Sequence, residues 1–114
     1  MSLHHPTLNH KYELLQLIDD QGATSQVYLG RVIGTNYLCA IKIFRVDYLR
    51  EERTAWDCLN QEIGNLMNMK HRGIVALYDY GQQGVVQSPN GQITYQQVFI
   101  VMEYVQCGTL WDLN

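Results

Sequence analysis

Cys39-Ala40-Ile41-Lys42-Ile43-Phe44 decides how this chain is read. It is a short apolar run with a single lysine inside it, and it reads as a β-strand. Burying a lysine amine in such a strand is costly unless an anion meets it. Lys42 therefore calls for a partner. The best placed in the chain is Glu62, on the following helically periodic segment. Upstream lies the glycine-bearing turn Gly22-Ala23-Thr24-Ser25, between two strand-like runs. A lysine on a strand, a glutamate on the next helix and a turn of this kind point together to a phosphate site.

The segments on either side supply the scaffold. Residues 12–18 alternate weakly and end in Asp19-Asp20-Gln21-Gly22, a turn signal. Residues 27–32 read as a second strand, Gly34-Thr35-Asn36 as a turn, and residues 37–44 as a third strand, which gives an antiparallel meander. Over residues 48–69 the period changes. Leu59, Ile63, Leu66 and Met67 recur at helical spacing, with Glu62 beside Ile63. On periodicity alone Glu62 fits a solvated helix surface as well as it fits a partner for Lys42. Residues 74–80 form a fourth strand, and residues 81–91 a loop containing the hairpin signal Asn90-Gly91. Residues 93–105 form the fifth and longest strand, and residues 109–113 open a further helix. The predicted fold is α+β: a five-stranded antiparallel sheet with one main helix between strands 3 and 4. Residues 12–114 form the lobe and residues 1–11 a flexible arm. In that arm His4, His5 and His10 have no cysteine or carboxylate nearby, so no metal site is expected.

Composition narrows the function. With 46% hydrophobic residues in 114, a real core is possible. The net charge of −3 and the scattered lysines and arginines argue against coating a nucleic acid or binding a membrane through a basic patch. Cys39, Cys58 and Cys107 are far apart in apolar contexts and read as reduced thiols. No run before Lys11 reads as a signal peptide, no stretch is long enough to span a membrane, and Ser2 breaks the myristoylation pattern. A soluble cytoplasmic protein is expected.

With these motifs in their order, the chain resembles the small N-terminal lobe of the eukaryotic protein kinases, from about Tyr12 to Leu113. Cys39-Ala40-Ile41-Lys42 is similar to the family's Val-Ala-Ile-Lys strand. The resemblance implies that Lys42 holds the α- and β-phosphates of ATP and that Ala40 lines the adenine pocket. Gln61-Glu62-Ile63 is similar to the helix that supplies the lysine's partner, 20 positions on (62 minus 42), which makes Glu62 the implied partner. Gly22, Ala23, Thr24 and Ser25, with Val27 after them, stand where the family's glycine-rich hairpin covers the phosphates. Asp20 and Ser25 occupy the places of its first and third glycines. Asp19 falls where an apolar residue usually covers the adenine, unless a one-residue insertion gives that place to Ile18. Val101-Met102-Glu103-Tyr104-Val105 resembles the hinge, with Met102 as gatekeeper and the Glu103 carbonyl and Val105 amide on the adenine edge. Gly108-Thr109-Leu110 resembles the step into the next helix, with Thr109 near the ribose.

ATP is the cofactor this resemblance implies, and transfer to protein serine or threonine the activity of a complete domain. No residue of the 114 matches the family's catalytic base or its metal-binding aspartate. His71-Arg72-Gly73 and Asp79-Tyr80-Gly81 look like those motifs but precede the hinge. Magnesium is therefore expected only with a large lobe. Phosphoryl transfer rests on positioning and charge neutralisation, so this chain alone is expected to be inactive and to bind ATP weakly. The implied partners are ATP and a kinase large lobe. The alternative is a pseudokinase-type piece or a stand-alone module that docks on a kinase or regulator. A fragment would leave Val27, Ala40, Met102 and Leu110 open to water as the floor of half a cleft.

Overall fold

The structure, a computed structural model, describes residues 5–20, 25–44, 60–61, 64 and 76–104. Six strands are defined: β1 (Thr7–Leu8), β2 (Tyr12–Asp20), β3 (Ser25–Val32), β4 (Leu38–Phe44), β5 (Leu77–Gln87) and β6 (Ile93–Glu103). They close into a barrel in the order β1-β2-β3-β4-β6-β5, with every neighbouring pair antiparallel.

Local chemistry sets the turns. Between β3 and β4 the Thr35 hydroxyl donates to the Val32 carbonyl at 2.8 Å and accepts from the Tyr37 amide at 3.1 Å. Between β5 and β6 the Gln92 amide donates to Asn90 Oδ1 at 3.0 Å, and Gly91 adopts a φ of 93°, which favours glycine. Across β2 and β3 the directly opposed Glu13 and Arg31 form an ion pair at 3.0 Å. It is partly exposed, so it supports the register more than the stability.

The barrel interior is filled by Leu8, Tyr12, Leu14, Cys39, Ile41, Ile43, Phe99 and Val101. Alternation along β4 sends Cys39, Ile41 and Ile43 inward and Ala40, Lys42 and Phe44 to the other face. Room for the larger side chains comes from glycine. A Cβ on Gly30 would lie 2.5 Å from Ile41 Cδ1, and one on Gly84 would lie 2.7 Å from Phe99 Cδ1.

This architecture corrects the expected one. The α+β lobe with a five-stranded sheet and one main helix gives way, among the described residues, to an almost wholly β molecule with six strands in a closed barrel. No helix is delimited there. Of the segment read as helical only Asn60, Gln61 and Gly64 are described, with helical backbone but too few to make an element. The sixth strand comes from residues assigned to the arm. Thr7 and Leu8 pair with β2 on one side and β5 on the other, and both are buried. Asn9 extends this clasp, its amide donating to the Val85 carbonyl and its Oδ1 accepting from the Val85 amide, each at 2.8 Å. Its φ of 54° lies in the left-handed region that asparagine tolerates better than most residues.

Two segments also change character. Asp19 and Asp20, read as the start of a turn, pair with Val27 and Gln26 inside the β2–β3 ladder. Residues 81–87, read as loop, belong to β5. Register shifts between Gly81 and Gly84 and between Gly84 and Val86 break the two-residue alternation by which a strand is recognised.

Candidate functional site

Residues directly opposite in an antiparallel pair share a face of the sheet. Val27 is opposite Lys42 across β3 and β4, Leu29 is opposite Ala40, and Ser25 is opposite Phe44. On the other side of β4, Ala40 is opposite Met102 and Lys42 opposite Ile100. One face of three adjacent strands thus carries Ser25, Val27, Ala40, Lys42 and Met102 together. The inward face of the same strands belongs to the barrel core.

That face is mostly apolar and covered. Val27, Ala40 and Met102 are 2%, 0% and 3% exposed, so the floor expected to lie open to water is buried instead. Lys42 is half-buried among these residues, with its Nζ 5.5 Å from the centre of the Phe44 ring. At this distance the ring face attracts the ammonium. Phe44 was not among the site residues picked out from the sequence, although its place two positions after Lys42 puts it on the same strand face.

Ser25 carries an unusual feature. Its side chain is fully buried, and Oγ has no hydrogen-bond partner. Leaving a buried hydroxyl unpaired costs about 1–3 kcal/mol, so this is a polar atom with capacity for an acceptor. It sits at the start of β3, opposite Phe44 and two cross-strand pairs away from Lys42 in the ladder. An apolar wall for a purine, a neighbouring ammonium and an unpaired hydroxyl are groups that fit a nucleoside phosphate.

The end of β6 is tied to the residue before β5. The Glu103 amide donates to the Ala76 carbonyl at 2.8 Å, and the Ala76 amide donates to Glu103 Oε1 at 3.2 Å. Gly22, Ala23, Thr24, Glu62, Val105 and Thr109 lie outside the described residues. Asp79, set aside above as a false metal motif, is a β5 residue. Its Oδ2 accepts from the Tyr12 hydroxyl at 3.0 Å and its Oδ1 from the Tyr80 amide at 2.9 Å. Among the described residues no group of three or more histidine, cysteine, aspartate or glutamate side chains could hold a metal ion. Nor is any helix there long and apolar enough to cross a membrane.

Cys39 lies on the opposite face of β4, fully buried next to Ala40, and burial pushes its thiol up from 9.0 to about 11. The folded chain therefore holds the proton more tightly than the unfolded chain. The stability this implies is complete below about pH 9 and is lost as pH rises towards about 11. Denaturant unfolding at a series of pH values should show a fall of about 2–3 kcal/mol over that window. The fall should shrink in Cys39→Ala. An equal slope in both proteins would contradict the assignment.

The family model described as the protein kinase domain matches residues 12–114. The chain belongs to the protein kinase domain family, and the matched segment corresponds to the N-terminal lobe. Its relatives include the serine/threonine-protein kinase PknB of Mycolicibacterium smegmatis, 34% identical over 106 residues, covering 93% of this chain and 16% of that protein. Misshapen-like kinase 1 of Rattus norvegicus is 34% identical over 102 residues, covering 90% of this chain and 7% of the relative. The serine/threonine-protein kinase mig-15 of Caenorhabditis elegans is 31% identical, covering 90% and 9%. The chain thus spans about a sixth or less of the length of these relatives.

Proposed function

We propose that this chain is the ATP-binding small lobe of a cytoplasmic serine/threonine protein kinase. The observation that carries the reading is the cross-strand placement of Lys42 opposite Val27, with Ala40 opposite Met102, on one face of β3, β4 and β6. In this reading Lys42 anchors the α- and β-phosphates, with Glu62 as the partner that orients its ammonium. Gly22, Ala23, Thr24 and Ser25 cover the phosphates, and the Ser25 hydroxyl donates to one of their oxygens. Val27, Ala40 and Met102 enclose the adenine, whose edge meets the Glu103 carbonyl and the Val105 amide. Thr109 lies near the ribose. Magnesium joins only with a large lobe, which supplies the catalytic base, the metal ligands and the protein substrate site.

The 114 residues alone then bind ATP weakly, since their apolar face is already buried and gains little from contact with a purine. They transfer no phosphate. Incubating the purified chain with ATP, magnesium and a generic serine/threonine substrate should give no product, while a calorimetric titration with ATP should give a Kd of about 1 mM or weaker. Measurable turnover would overturn the division of labour between lobes. A complete absence of ATP binding would favour the second reading, a module that docks on a kinase or regulator. The burial of Val27, Ala40 and Met102 gives that reading some support, because a lobe that works by itself should not expose them.

A further inference from the structure

β5 and β6 are out of step next to Met102. Leu77 is opposite Met102 and Asp79 is opposite Val101, so Tyr78 is an extra residue on β5 with no counterpart on β6. Such a bulge disrupts the ladder locally, and a one-residue slip would turn the neighbouring side chains to the other face. Something must decide which residue is the extra one. The only side chain beside the slip with partners on two sides, among the described residues, is Asp79. Its Oδ1 accepts from the next amide, Tyr80, and its Oδ2 accepts from the Tyr12 hydroxyl, 67 positions away at the start of β2. Tyr12 is itself fixed, since it packs in the barrel core and pairs with Leu8 of the β1 clasp. Burial first, and then the bond to Asp79, hold the Tyr12 hydroxyl well above the ordinary tyrosine range, so it remains a proton donor.

We infer that Tyr12 is a positioning residue for the Val101–Glu103 end of β6, acting through Asp79 across the Tyr78 bulge. Its consequence for nucleotide rests on the reading above, in which Met102 and Glu103 meet the adenine. The role in β6 does not.

Residue-resolved amide hydrogen exchange on the full chain tests it. In Tyr12→Phe, which keeps the packed ring, the Val101 and Glu103 amides should exchange about five- to tenfold faster, while the Leu29 and Arg31 amides of the β2–β3 side change little. Asp79→Ala should give the same local pattern, and the double variant no more than either alone. Uniform acceleration across all strands, no acceleration at Val101 and Glu103, or additive effects would each overturn the inference. In a parallel titration Tyr12→Phe should weaken ATP about fivefold and leave inorganic tripolyphosphate unchanged. If the unmodified chain binds no ATP, the nucleotide reading fails, and the exchange pattern still decides the role of Tyr12.

Discussion

Gly84→Val is expected to leave the chain unfolded at room temperature, and Gly84→Ala to remove about 3 kcal/mol of stability. A Cβ at Gly84 would stand 2.7 Å from Phe99 Cδ1, 2.8 Å from the Gln97 carbonyl oxygen and 3.1 Å from Leu8 Cδ1. The first of these is a buried ring in the barrel core. The second belongs to the β6 backbone opposite Gly84, and moving it breaks the ladder between the two longest strands. The third is the side chain through which the β1 clasp enters the core. The ring and the carbonyl cannot withdraw without opening the barrel, whereas the end of the Leu8 side chain needs to give only a few tenths of an ångström. Gly30 should be more forgiving, because the nearest atom to its Cβ is the mobile Cδ1 end of Ile41, although the Glu13 carbonyl follows at 3.0 Å. Gly91 meets nothing within 4 Å, and only its φ of 93° opposes a side chain, at about 1 kcal/mol. Urea midpoints for the three alanine variants should rank Gly84 as most damaging, then Gly30, then Gly91. Gly84→Ala with an unchanged midpoint would mean that Phe99 does not occupy the barrel interior as described.

Lys42→Met should weaken ATP binding about ten- to a hundredfold while leaving adenosine affinity unchanged. Methionine keeps an unbranched stem on the same face of β4 and removes only the ammonium. A charge-assisted hydrogen bond to phosphate is worth about 1.5–3 kcal/mol, which sets the size of the loss. The effect on folding should be much smaller. The contact of the ammonium with the Phe44 ring at 5.5 Å is one part of that effect, and a partly exposed contact of this kind is worth about 0.5–1 kcal/mol. A large loss for ATP, none for adenosine and a modest change in urea midpoint would together assign Lys42 to the phosphates. Equal losses for both ligands would assign it to the integrity of the sheet.

The residues of this face were legible because the signals they depend on are local. Lys42 stands out in an apolar strand, and period-two alternation places Ala40 beside it. The motif order around them led to the protein kinase domain family, to which the chain belongs. The closed barrel was not legible, for identifiable physical reasons. Two residues, Thr7 and Leu8, are too few to show alternation, and the histidines around them read as a solvated arm. Their pairing partners, Glu13 and Gln87 for Thr7 and Tyr12 and Val86 for Leu8, lie on the two edges of β1. A two-residue strand that closes the barrel through a partner about 80 positions away leaves almost no trace in its own composition. The length of β5 was hidden in another way. Residues 81–91 read as a loop, yet Gly81 and Gly84 within them are the positions that admit Phe99. The buried floor of Val27, Ala40 and Met102 shows a further limit, since a motif tells which residues share a face but not how much water reaches it.

The assignment of the β3–β4–β6 face to ATP is tested most directly by backbone amide chemical shifts during titration of the chain with ATP. The amides of Ser25, Val27, Ala40, Lys42, Met102 and Glu103 should move together along one saturating curve. Those of Thr7, Leu8, Val86 and Gln87, at the clasp where β1 meets β5, should stay in place. Perturbation centred on the clasp, or shifts at Lys42 without any at Met102 and Glu103, would contradict a nucleotide lying across this face.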